Sequence, residues 1–165
     1  MSYYISDHIS WKEATSSQTA EEKGIDNQPQ PMHIKNMKRL AQRVFEPLRD
    51  WVGGAIKVTS FYRSEELCQA IGSHIKSQHC RGQAMDIDDT FKHKTNAEMF
   101  RYIYDELDYD QLIWEYGDDE NPDWIHISYV SPSQNRNQTH RAYKEKKGTT
   151  TYDFYEPTQE EQEEI

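Results

Sequence analysis

Ser77-Gln78-His79-Cys80-Arg81-Gly82-Gln83-Ala84-Met85-Asp86, with Asp123-Trp124-Ile125-His126 further along, decides how this chain is read. Two imidazoles and one carboxylate form the ligand set of a catalytic zinc, which keeps its fourth position for water. Six residues separate His79 from Asp86, too many for one helical turn. The spacing works if His79 sits in a loop, Gly82 lets the chain turn sharply, and Asp86 lies on the strand that follows. Ala84-Met85-Asp86-Ile87-Asp88 alternates as such a strand would, with Met85 and Ile87 on the buried face and the two aspartates on the other. His126 then comes from a neighbouring strand, and the three ligands face one groove. Taken singly, each of these residues is more often structural, and His126 reads equally well as a core histidine.

The rest of the chain supplies a frame. Residues 1–31 are polar and read as irregular, closed by Pro29 and Pro31. Ile34, Met37, Ala41, Val44, Leu48 and Trp51 recur at spacings of three and four, one apolar stripe on a helix that Gly53-Gly54 stops. Ile56 to Phe61 reads as a short strand, and Ser64 caps a short helix toward Ala70-Ile71. Thr95 caps another helix, whose Met99, Phe100, Ile103 and Leu107 face the core. Strands are expected over Gln111 to Tyr116 and Trp124 to Val130, with a turn-rich loop over Gly117 to Pro122. Segregated helices and hairpin-linked strands imply an α+β fold, a small and mainly antiparallel sheet with helices packed on it.

Composition narrows the function. The 165 residues suit one core, and a formal charge of −10 argues against a nucleic-acid binder. Asp153, Glu156, Glu160, Glu161, Glu163 and Glu164 concentrate negative charge at the C-terminal end. We therefore expect one domain over 1–152 and an acidic, disordered tail over 153–165. Cys68 and Cys80 are too few for a disulfide framework and fit a reducing compartment, with a single bond between them left open. The first residues lack the basic and apolar regions of a secretory signal. No run approaches the roughly 20 apolar residues needed to span a bilayer. Cytoplasmic synthesis is expected, as is a monomer.

With its flanks, the motif resembles the M15 family of zinc peptidases. That family is the D-alanyl-D-alanine carboxypeptidase and L-alanyl-D-glutamate endopeptidase group, which includes phage endolysins and shares its fold with the Hedgehog domain. Ser77, His79, Gly82, Ala84 and Asp86 fit its SxHxxGxAxD pattern, Trp124-Ile125-His126-Ile127-Ser128 its second zinc motif, and Tyr62-Arg63-Ser64 its YRS segment. Ser17-Gln18-Thr19-Ala20, Gly24 to Pro29, Asn135-Arg136-Asn137-Gln138 and Arg141-Ala142 look like flanking signatures, so the resemblance covers roughly residues 5–152.

The resemblance implies one zinc ion held by His79, Asp86 and His126. It makes Asp123 the general base and Arg63 the group that steadies a substrate carbonyl, with Ser77 and Gln78 lining the groove. The implied substrate is the peptide stem of peptidoglycan, cut by a phage-type or wall-remodelling enzyme after release or from a virion. Side chains alternate along a strand, so Asp123 reaches the site only if the strand starts after it or bends there. Glu115, on one face with Gln111 and Ile113, is the competing carboxylate and otherwise a substrate-binding group. His74 reads as a loop residue, and His8, His33, His93 and His140 as solvated or capping. The alternative is a metal-binding recognition module of the same fold, without hydrolysis.

Overall fold

The computed structural model describes residues 3–144 and 148–157. A two-stranded ribbon, β1 (Tyr4–Ser6) and β2 (Ile9–Ser10), leads into α1 (Trp11–Thr15) and α2 (Gln18–Lys23). The segment expected to be irregular is therefore ordered into strands and helices from Tyr4 to Lys23, and Ile5, Ile9 and Ala14 enter the core. Caps hold these short helices: Ser10 and Glu13 form a capping box, and Ser17 accepts from the Ala20 amide.

Next come α3 (Pro31–Leu40) and α4 (Glu46–Val52), joined without a break by a π-helical turn over Ala41–Phe45. That turn uses more residues per revolution and shifts the apolar stripe behind it by about one position. Phe45 and Val52 are buried as a result, while Trp51, expected in the core, is 38 % exposed. Its ring stacks on Tyr102 instead, with centroids 4.5 Å apart.

The remaining elements are β3 (Lys57–Ser60), α5 (Glu65–Ala70), a 3-10 turn over Gln78–Arg81, β4 (Ala84–Asp88), α6 (Asn96–Glu106), β5 (Gln111–Glu115), β6 (Trp124–Ser128), β7 (Gln138–Lys144) and β8 (Thr150–Phe154). The six longer strands form one sheet in the order β3-β4-β6-β5-β7-β8. Only β5 and β7 run parallel among these pairs, so the α+β, mainly antiparallel expectation holds.

Alternation divides the sheet. Met85, Ile87, Ile125, Ile127, Leu112 and Trp114 join the α3, α4 and α6 side chains Met37, Leu48, Phe100 and Ile103 in one buried cluster. Asp86, His126, Ile113 and Glu115 stand on the other face.

β7 and β8 were not legible as strands, and the boundary expected at 152 falls inside β8. Tyr155, just beyond it, packs its ring against Phe100 and Trp114. Residues 158–165 of the expected acidic tail lie outside the described residues. Cys68 and Cys80 are joined as a disulfide, tying α5 to the 3-10 turn. No helix among the described residues is long and apolar enough to cross a membrane.

Candidate metal centre

The 3-10 turn exists because local groups stop the chain from continuing in either direction. Ser77 accepts from the His79 amide, and Gly82 closes the turn at φ +72°. A Cβ on Gly82 would lie 2.6 Å from both the His33 carbonyl oxygen and Met37 Cγ, so α3 passes too close for any side chain. The sharp turn expected at Gly82 is therefore present. β4 begins two residues later and carries Asp86 to the groove face, directly opposite His126 of β6.

The three side chains converge on one carboxylate oxygen. Asp86 Oδ1 lies 3.0 Å from His126 Nδ1 and 3.4 Å from His79 Nε2, and one ligand atom from each residue falls within 4.8 Å of the others. Donors on a tetrahedral ion with bonds of about 2.0–2.2 Å lie roughly 3.3–3.6 Å apart, so His79, Asp86 and His126 stand close enough together to hold a small divalent cation. His79 Nδ1 donates to the Phe61 carbonyl at 2.8 Å, which turns Nε2 toward Asp86. Burial lowers the His79 pKa against the opposing pull of Asp86, and the neutral ring is the form that ligates. Burial works to raise the Asp86 pKa, but the facing His79 and His126 outweigh it and hold the carboxyl well below the usual range.

Arg63 reaches the other oxygen of the same carboxylate. Its Nη2 lies 3.3 Å from Asp86 Oδ2, and its Nε donates to Ser60 Oγ at 2.9 Å. The Arg63 backbone amide donates to the His79 carbonyl. Asn27 holds this segment from behind: Nδ2 donates to the Thr15 and Tyr62 carbonyls, and Oδ1 accepts from the Ser64 amide. Sequence reasoning gave Asn27 no role beyond a flanking signature.

The two carboxylates weighed for proton transfer differ in setting. β6 starts at Trp124, so exposed Asp123 stands just before the regular strand. Its amide donates to the Glu115 carbonyl at 2.8 Å. Glu115 itself is 7 % exposed. Burial first, and the nearby Asp86 charge after it, push its pKa up to about 7 against the opposing influence of His126.

Gln78 donates its side-chain amide to Asp110. Asp110 and Arg136 form a bidentate pair at 2.9 and 2.7 Å. Neither residue was named for the site, although Arg136 lies in the Asn135-Arg136-Asn137-Gln138 stretch.

His74 and His93 are exposed, and His33 accepts from the Gln30 amide as a capping residue. His140 departs from expectation: its Nε2 is buried with no hydrogen-bond partner among the described residues, and its ring stacks on Phe154. A cavity of about 640 Å³ is lined by Trp114, Arg141 and Tyr143, which point to the sheet's other face, and it contains none of the expected ligands.

Against this geometry, the family model for Peptidase M15 matches residues 7–128, a span that includes all three converging residues. The chain belongs to the peptidase M15 family. No curated protein shows a significant match to it. As an M15 peptidase it keeps the metal-ligand cluster and Arg63 inside the matched region, whereas β7 and β8 lie beyond it.

Proposed function

We propose that this M15 peptidase is a zinc enzyme that hydrolyses an amide bond in the peptide stem of peptidoglycan, as a carboxypeptidase, dipeptidase or endopeptidase of phage-type lysis or wall remodelling. The observation that carries the reading is the convergence of His79 Nε2 and His126 Nδ1 on Asp86 Oδ1. Three protein donors among the described residues, rather than the four of a purely structural zinc site, support an open coordination position. That contrast weighs against the alternative of a recognition module without hydrolysis.

A divalent cation held there supplies Lewis acidity, activating water and polarising a carbonyl. The chain's own groups do the rest. Arg63 fixes the outer oxygen of Asp86 and keeps the ligand carboxylate in register, with its guanidinium beside the place where carbonyl charge would grow. Asp123, just before β6, is the group proposed to accept a proton from water and return it to the leaving amine. Glu115, on the same sheet face as Asp86 and His126, is proposed to bind the peptide. Ser77 and Gln78 brace the His79 turn, and both are proposed to line the groove beside it.

The test uses purified protein and defined muropeptides. New amino termini are expected with zinc and none with chelator, and elemental analysis reports the metal taken up. Full turnover by His126→Ala would reject the assignment.

A further inference from the structure

Strand register carries the groove face well past the ligands. Asp86 pairs with His126, His126 with Ile113, Ile113 with His140 and His140 with Phe154, so these side chains stand in one row. Two positions along, Trp124, Glu115, Ala142 and Tyr152 form a second row on the same face. Ala142 puts only a methyl group between Glu115 and Tyr152, which leaves the phenol room to lean toward the carboxylate. Burial and then the Glu115 charge raise the Tyr152 pKa, in keeping with that proximity.

Tyr152 is 55 % exposed, and its hydroxyl has no hydrogen-bond partner among the described residues. The strand beneath it is held at both ends. Tyr116 and Thr150 share a 2.7 Å hydrogen bond between their hydroxyls, and Phe154 stacks on His140 with centroids 5.0 Å apart. Tyr152 and Phe154 follow each other at about 6.6 Å along the strand, the repeat of alternate residues in an extended peptide.

We propose that β7 and β8 build one wall of the substrate groove, and that Tyr152 contacts substrate by donating a hydrogen bond from its hydroxyl to a backbone carbonyl of the bound peptide. This rests on the peptidase reading above. It places a specificity-determining surface in a segment that follows the family-matched residues 7–128.

The experiment measures kcat, KM and, by calorimetric titration, Kd for one stem peptide with the zinc-loaded chain. Wild type, Tyr152→Phe and Tyr152→Ala are compared, with His126→Ala as the inactive reference. Tyr143→Phe, on the opposite face of β7, is the control. Loss of one hydrogen bond should raise KM and Kd about fivefold to tenfold in Tyr152→Phe with kcat little changed. Tyr152→Ala should lose more, and Tyr143→Phe nothing. Unchanged KM and Kd in both Tyr152 variants, or a fall in kcat alone, overturns the contact even if wild type turns over and His126→Ala does not. A wild type that never turns over rejects the peptidase reading instead, and the titration then judges Tyr152 by itself.

Discussion

Gln78 Nε2 donates a 2.8 Å hydrogen bond to Oδ2 of Asp110, a residue only 1 % exposed. The bond ties the ligand-bearing turn to the start of β5, and Arg136 neutralises the buried acid from the other side. Burial alone would raise the Asp110 pKa, but Arg136 outweighs it and the net shift is downward. Asp110→Asn should destabilise the fold by about 2–4 kcal/mol, since half of a paired charge is removed. It should also weaken metal binding about tenfold or more, because the turn loses its anchor. Denaturant titration and a competitive zinc assay measure the two effects.

Asp123 and Glu115 separate in a pair of conservative variants. Asp123→Asn should lower kcat by about 100-fold or more, the usual scale for a lost general base. Glu115→Gln should keep most of kcat and raise KM. Steady-state kinetics on one muropeptide decides between them, and the reverse pattern would make Glu115 the base.

Glu115 also predicts a pH dependence of the metal-free protein. Its folded pKa stands at about 7 against an ordinary 4.5, so the folded state holds this proton more tightly than the unfolded one. Stability from this group is present below pH 4.5 and is lost as pH rises toward 7. Glu115→Gln should therefore stabilise the metal-free chain at pH 8 by about 2–3 kcal/mol and leave it unchanged near pH 4. Thermal melts at the two pH values check the sign.

Gly82→Ala tests the turn itself. A positive φ and a backbone oxygen 2.6 Å from the new Cβ leave no relaxed conformation. The expected cost is above the roughly 1 kcal/mol of an unobstructed glycine site, with reduced zinc affinity as His79 shifts. Gly53→Ala, where φ is +74° but no atom lies within 4 Å, should cost less.

Chelation should abolish turnover without unfolding the chain. Asp86 and His126 are set by backbone pairing between β4 and β6, not by the ion. Far-UV circular dichroism should be unchanged, while the melting temperature falls by the linkage term for a lost ligand.

The ligand stretch was legible because its chemistry and its strand alternation agree: Asp86 and His126 each sit between buried apolar neighbours, which fixes the face they occupy. Capped helices such as α6 were legible for a similar reason, since Thr95 and Glu98 form the capping box just before an apolar run. Two features defeated local pattern. The π-helical turn moved Phe45 inward and Trp51 outward through backbone winding that side-chain spacing does not encode. Gln138–Lys144 is polar and half-buried, and only its pairing with β5 on one side and β8 on the other makes it a strand. Asn27 and Asp110 act through partners 12 to 37 positions away, and Tyr152 is placed only by strand pairing, beyond the reach of any local window.

The direct pairing of Asp86 with His126 also has a mechanical side. An ion gripped by both would fasten neighbouring strands like a clasp across a seam, so the sheet could not unzip there before letting it go. The loaded protein should then resist unfolding longest along the seam that grips the ion.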